Sequence, residues 1–201
     1  MSLHNLLLTG GDLVLELWQE WQVERGRGAD LLRQIQARLA CLQPSGTVLP
    51  IVLDLLKEAP SARFEAYVSN GCRKDTPAPD FADRLSADMS ELHNILHRSQ
   101  QLVQRLEAHT APLQRAAMEA LLLKRDHSLT DTRMQPPQEA AVDQVLLLVA
   151  LAVALHKELA LMEHVVSAVS LDMPLEELTT YICMWELQPF VDEEAIVAFQ
   201  S

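Results

Sequence analysis

The chain has 201 residues and a formal net charge of −12, which is long enough for one domain with a substantial core. The acidic balance argues against binding to a phosphate backbone, which needs clustered Lys and Arg, so no direct nucleic-acid contact is expected. Aromatic residues make up only 4 % and there are six glycines. With abundant Leu, Ala, Glu and Gln, this composition favours helix over sheet.

Residues 1–68 are predicted to form an N-terminal helical region. Asp12 is a suitable N-cap for a first helix, whose apolar side chains follow at helical spacing: Leu13, Leu17, Trp18 and Trp21. Gly26 and Gly28 are expected to interrupt this helix, and a second helix is predicted over residues 31–39. Gly10-Gly11 and Gly26-x-Gly28 lack the flanking strand of a dinucleotide-binding loop.

Two less regular stretches follow this region. The apolar run Ile51–Leu56 is predicted as a short helix, with a strand as the alternative. Residues 69–80, SNGCRKDTPAPD, are rich in turn-forming residues and are predicted to be a linker. The rest of the chain, residues 81–201, is expected to pack as one helical bundle.

The longest predicted element covers residues 81–125. Its apolar residues recur every three or four positions, close to a heptad: Leu85, Met89, Leu92, Leu96, Val103, Leu106 and Leu113. This spacing is typical of a coiled-coil or helical-hairpin seam. Pro112 should kink or break the helix near Thr110. The predicted fold class is therefore all-α, an elongated bundle with a long central coiled-coil-like helix or hairpin.

The next predicted helix, residues 139–170, is apolar on most sides between positions 142 and 161. A helix of this kind requires burial between neighbours, so we expect it at the centre of the bundle. Its wholly apolar part, Val145–Leu155, is shorter than the roughly 20 residues that a bilayer needs. The chain lacks a signal-peptide pattern, and its three cysteines form no CxxC pair. We therefore expect a soluble protein of a reducing compartment, without a membrane partner.

The C-terminal segment has the most distinctive pattern. Pro174 suits the first turn of a helix, and four apolar residues fall on one face of that helix: Leu175, Leu178, Ile182 and Trp185. Pro189 should end the helix by forcing Gln188 out of the helical region. The tail beyond is apolar at Phe190, Val191, Ile196, Val197 and Phe199, and either folds back on the bundle or docks on another protein.

No catalytic or cofactor-binding pattern is present. His93 and His97 have a spacing that can hold zinc, but no third ligand accompanies them. There is no phosphate-binding loop or nucleophile elbow, so we expect neither catalysis nor a cofactor. After Lys157 the chain has no further Lys or Arg. This acidic part is either a solvated face or a docking surface for a basic partner.

Residues 156–191 resemble the C-terminal signature of the cyclin-dependent-kinase-interacting protein family. In that family a Lys-Glu-Leu triplet precedes a Tyr, a Met-Trp pair and a Gln-Pro-aromatic-Val ending. The matching residues are Lys157, Glu158, Leu159, Tyr181, Met184, Trp185, Gln188, Pro189, Phe190 and Val191. Trp21, Gly28 and Ile35 also stand at the Trp–Gly–Ile intervals of the family. Met162 and Glu163 replace basic residues of the family, which indicates a divergent member.

The resemblance implies a non-catalytic adaptor, nuclear and cytoplasmic, that associates with AAA+ ATPase subunits of the AFG-two type. It implies roles in pre-60S ribosome maturation and replisome protein turnover, and a link to a cyclin-dependent kinase and the replication checkpoint. A second small helical adaptor would bind the seam within residues 81–125. The candidate protein-binding residues are Trp21, Leu85, Leu92, Leu96, Leu106, Tyr181, Trp185, Gln188, Pro189 and Phe190. The alternative is a stand-alone helical bundle that binds an apolar ligand or another helical partner.

Overall fold

The computed structural model describes residues 3–42, 62–63, 80–127 and 136–192, and within these ranges its regular structure is entirely helical. The all-α prediction is confirmed. The four helices packed in the bundle are α1, Leu3–Leu42; α2, Phe81–His127; α3, Pro136–Ala168; and α4, Leu175–Leu187. The apolar run at 51–56, residues 69–79 of the predicted linker and the tail from residue 193 lie outside the described residues.

Helix α1 is one continuous helix, so the predicted interruption at Gly26 and Gly28 is wrong. A glycine inside a helix costs only about 1 kcal/mol relative to alanine. Against this cost, α1 buries a single apolar face on both sides of the two glycines, formed by Val14, Leu17, Trp21, Leu32, Ile35 and Leu39. Tertiary packing along that face maintains the helix where local preference would end it.

The direction of each helix follows from the pairs of side chains that join them. Arg105 binds Glu20 at 3.0 Å, and Arg98 binds Glu24 at 2.9 Å, so α2 runs antiparallel to α1. Helix α3 runs antiparallel to α2, because His156 lies 3.2 Å from Glu107 and Gln100 donates to Glu163 at 2.9 Å. Helices α1 and α3 are therefore parallel neighbours.

Helix α4 is short and lies antiparallel to the middle part of α1. The Gln36 side chain donates to Thr179 Oγ1 at 2.6 Å near the start of α4, and Gln22 donates to Gln188 just after its end. Helix α1 thus packs against each of the other three helices. Helix α3 also packs against each of the other three helices, so α1 shares the central position that the sequence had suggested for α3.

Helix α2 continues through Pro112 to His127, so the predicted break near Thr110 does not occur. Thr110, Leu113 and Ala117 are all buried, and this packing maintains the helix although proline supplies no N–H. Pro112 itself is exposed. In a regular helix the carbonyl of Ala108 accepts a hydrogen bond from the N–H of residue 112. Proline has no N–H, so this carbonyl lacks its usual helical donor.

Helix α3 combines a buried face with an exposed apolar face. Val145, Leu148 and Leu155 are buried, whereas Leu146 is 56 % and Val153 is 51 % exposed. By length and composition alone, residues 140–168 could cross a membrane. Of the 18-residue apolar stretch within them, 39 % is buried in the bundle. Core helices of soluble proteins meet the same criterion, so this finding is consistent with a soluble protein.

Replacement of Pro112 by alanine should raise the free energy of unfolding by about 1–3 kcal/mol, because it restores an N–H donor and removes the ring clash. Urea denaturation measures the change. Gln114→Ala, an exposed substitution on the same helix, should change it by less than about 0.5 kcal/mol. A loss of stability in Pro112→Ala would mean that packing requires the local shape imposed by proline.

Candidate protein-binding site

The Trp185 indole of α4 packs directly on Gly28 of α1. A Cβ built on Gly28 would lie 2.8 Å from Cε2 of Trp185, 3.1 Å from Nε1 and closer still to Cζ2. The indole Nε1 donates to the Arg25 carbonyl at 2.9 Å, and Trp185 is 2 % exposed. Only a residue without a side chain allows the indole to approach α1 this closely. Gly28 therefore determines where α4 can dock.

Polar contacts surround this apolar contact. Arg25 donates to the carbonyl of Glu186 at 2.9 Å, near the C-terminal end of α4 where carbonyls lack intrahelical donors. Arg33 forms an ion pair with the Glu186 carboxylate. The α1 side chains thus supply the donors that the last turn of α4 needs, as basic residues at a helix C-terminus do.

Helix α4 ends as the sequence predicted. Gln188 has φ 45° and ψ 63°, the left-handed conformation, and the helix stops at Leu187. The Val191 N–H donates to the Gln188 carbonyl at 3.1 Å and closes a turn around Pro189. A left-handed glutamine before proline is unfavourable in isolation. Burial of its side chain, which is 5 % exposed, and the contact with Gln22 maintain it.

The turn brings Phe190 to the middle of α3. The Phe190 N–H donates to Glu158 Oε1 at 2.6 Å, and the Lys157 Nζ lies 5.8 Å from the centroid of the Phe190 ring. Glu158 is 2 % exposed. Burial raises the pKa of its carboxyl, and the hydrogen bonds from Phe190 and Val191 oppose that effect. The Lys-Glu-Leu triplet and the Gln-Pro-Phe-Val ending therefore contact each other.

The candidate protein-binding residues fall into three groups by exposure. Six are buried in the bundle: Trp21, Leu85, Leu92, Leu106, Trp185 and Gln188. Leu96 and Tyr181 are half-buried, and Pro189 and Phe190 are exposed. The Tyr181 hydroxyl donates to Glu177 at 3.1 Å, a bond that raises the pKa of Tyr181. The side chains of the predicted 81–125 seam mostly face this chain's own core, so a partner could reach them only if the bundle opened.

An exposed apolar surface on α3 is one that the sequence did not reveal. Near the end of α2, a second exposed apolar cluster consists of Met118, Leu121 and Leu122. Leu146, Ala150 and Val153 lie at i, i+4 and i+7 on the outer side of α3, and all three are exposed. We call these three residues the α3 ridge. The apolar character of α3 on all sides was visible in the sequence, but which side remains uncovered depends on the placement of α1 and α2.

A groove runs along each side of the α3 ridge. On the α2 side it has a volume of about 470 Å³ and is lined by Glu107, Thr110, Ala111, Gln114, Val149, Ala152, Val153, His156 and Lys157. On the α1 side a cavity of about 210 Å³ is lined mainly by apolar side chains, including Leu15, Trp18 and Leu151. Ridge and grooves together form the candidate protein-binding site.

Within the part of the chain that the structure describes, no group of three or more His, Cys, Asp or Glu side chains could hold a metal ion. His93 bonds to the Met89 carbonyl and His97 to Gln101, both within α2. Comparison of the chain with protein-family models, with curated proteins and with solved structures finds no match.

Gly28→Ala should lower the free energy of unfolding by about 2 kcal/mol or more, because the new Cβ displaces the Trp185 indole. Gly26→Ala is the matched control. Its Cβ would meet nothing within 4 Å, so it should raise stability by up to about 1 kcal/mol. Urea denaturation monitored by tryptophan fluorescence measures the free energy of unfolding of both variants. Equal effects of the two substitutions would contradict the close contact.

Glu158 should make the stability of the protein depend on pH in a defined direction. Because its folded-state pKa is raised, the folded chain binds a proton more readily than the unfolded chain, and its contribution to stability falls as pH rises through the folded pKa. The slope from this one group is at most about 1.4 kcal/mol per pH unit. Glu158→Gln should remove the pH dependence that comes from Glu158. Urea denaturation of the wild-type chain and of Glu158→Gln at several pH values measures the difference in their free energies of unfolding.

Glu158→Ala serves as the comparison for this experiment. It leaves the Phe190 N–H without its acceptor and should cost about 1–3 kcal/mol at neutral pH, whereas the glutamine oxygen can still accept that bond. Identical stabilities of the Ala and Gln variants at neutral pH would show that the Phe190 contact contributes nothing.

Proposed function

We propose that this chain is a non-catalytic adaptor that binds another protein through the α3 ridge and its flanking grooves. The observation that carries the proposal is the exposure of Leu146 at 56 % and of Val153 at 51 % on a helix that is otherwise built for burial. Apolar patches of this kind with polar rims mark interaction surfaces. An amphipathic helix of the partner, with apolar anchors at i, i+3, i+4 and i+7, fits such a surface.

The charge near the C-terminal end of the described chain favours a partner with basic residues. The groove on the α2 side carries charges of both signs, Glu107 and Lys157. The described chain beyond Lys157 contains no Lys or Arg but the acidic residues Glu158, Glu163, Asp172, Glu176, Glu177, Glu186 and Asp192. An acidic field accelerates association with a basic partner and makes the rate depend on salt.

The more specific proposal is that the partners are subunits of an AAA+ ATPase assembly of the AFG-two type together with a second small helical adaptor. The role would be pre-60S ribosome maturation and replisome protein turnover, with a link to a cyclin-dependent kinase. It rests on the resemblance to the cyclin-dependent-kinase-interacting protein family. Support comes from the contacts of Gly28 with Trp185 and of Glu158 with Phe190, since both pairs consist of signature residues.

The decisive experiment is affinity purification of the chain from native cells, with identification of the co-eluting subunits. Leu146→Asp combined with Val153→Asp should reduce recovery of the partner at least tenfold, because charges replace apolar anchors, while the thermal midpoint changes little. The control is Leu187→Asp, which alters an apolar side chain 75 % exposed on α4. It should leave recovery unchanged.

Two outcomes would contradict these proposals separately. Recovery of the same partner by the double variant would exclude the α3 ridge as the binding surface. Recovery of a different partner by the wild-type chain, without an AAA+ subunit, would leave the ridge in place and exclude the ATPase assembly.

A further inference from the structure

The α3 ridge lies between two opposite charges. Leu146, Ala150 and Val153 are exposed, and so are Asp143 towards the N-terminal end of α3 and Lys157 towards its C-terminal end. These five residues follow one another at spacings of three and four, so they form one stripe along the outer side of the helix. We call them the α3 stripe. Its two ends are about 21 Å apart at 1.5 Å per residue.

The α3 stripe is symmetric about its centre in position and opposite in charge. Asp143 lies seven residues before Ala150, and Lys157 lies seven residues after it. A second copy of the stripe that runs in the opposite direction, with Ala150 against Ala150, places each Asp143 beside Lys157 of the other copy. Such a contact uses the same surface on both chains, as the commonest dimers of soluble proteins do.

Charge and shape both favour this antiparallel pairing. Two parallel stripes would place Asp143 beside Asp143 and Lys157 beside Lys157, and like charges at short distance repel each other. Ala150 has the smallest side chain of the stripe and lies at its centre, so two helices can approach there to about 8 Å between their axes. The apolar side chains of Leu146 and Val153 then pack on each side of the centre.

The two charged residues of the α3 stripe can form such pairs. In the part of the chain that the structure describes, neither Asp143 nor Lys157 takes part in an ion pair. The Lys157 ammonium faces the ring of Phe190, with Nζ 5.8 Å from the ring centroid. Both charged side chains are exposed, so a carboxylate or an ammonium of a second copy can reach them.

We propose that the α3 stripe is a self-association surface, through which two copies of this chain form an antiparallel dimer centred on Ala150. The inference deepens the proposed function and rests on it in one respect, that the same ridge binds another protein. A ridge that is paired with a second copy is closed to that protein, so dimer formation regulates binding. The stripe is short in comparison with standard interfaces of about 1,600 Å², so the dimer should dissociate on dilution.

Sedimentation equilibrium of the isolated full chain measures the association. At about 0.15 M salt the Debye length of about 8 Å limits the general repulsion between two chains of net charge −12. The mass should then rise with concentration from 22.5 kDa towards twice that value. Ala150→Glu places two carboxylates at the centre of the contact and should keep the chain monomeric. Its thermal midpoint should change little, because position 150 is exposed.

Exchange of the two charges tests the orientation of the copies. Asp143→Lys alone brings two ammonium groups together at each end of the contact, and Lys157→Asp alone brings two carboxylates together. Each should weaken the dimer about tenfold, since two attractive pairs become repulsive. Both substitutions in one chain restore opposite charges and should return the dissociation constant to within about twofold of the wild-type value.

Glu119→Lys is the matched control for the charge exchange. It changes the net charge by the same amount as Asp143→Lys, at an exposed position of α2 that does not line the groove beside α3. It should not weaken the dimer.

Three results would overturn the inference and leave the adaptor proposal to its own test. The first is a chain that stays at 22.5 kDa up to about 1 mM. The second is a dimer that persists in Ala150→Glu, and the third is a dimer that the double charge exchange fails to restore. Conversely, if the dimer forms as expected but Leu146→Asp with Val153→Asp still recovers the other protein, the adaptor proposal fails at this surface and the dimer stands.

Discussion

The contact between the Trp185 indole and Gly28 is the constraint on which the position of the C-terminal segment depends. Helix α4 has only 13 residues, too few for a stable helix in isolation, so its stability must come from packing. Most of that packing is on α1, and the indole is its largest fully buried side chain. Once Trp185 is seated and bonded to Arg25, the register of α4 along α1 is determined.

From that register the rest of the C-terminal segment follows. The left-handed turn at Gln188 directs Phe190 towards α3, where the buried Glu158 accepts its N–H. A carboxylate in an apolar environment is costly unless it is hydrogen-bonded, so Glu158 and the turn at Phe190 stabilise each other. A few specific side chains therefore hold α1, α3 and α4 together. These side chains stabilise the fold and are not part of a free surface.

The proposed binding surface lies in a different part of the molecule from the segment that is most distinctive in sequence. The residues Trp185, Gln188 and Glu158 are buried, whereas Leu146 and Val153 of the α3 ridge are exposed. The adaptor role that we propose needs both a rigid scaffold and an uncovered apolar face. Separate residues supply them here, which is why variants at the α3 ridge can separate binding from stability.

Helical periodicity in the sequence determined the all-α class, the face of α4 that carries Leu178, Ile182 and Trp185, and the end of α4 at Pro189, because these depend on residues within a few turns. Only the tertiary structure decided that α1 runs unbroken through Gly28 and that the apolar stripe of α2 faces its own chain. It also decided which side of α3 stays exposed. Periodicity identifies an apolar face, but the neighbour that covers it is chosen by packing between residues far apart in the chain.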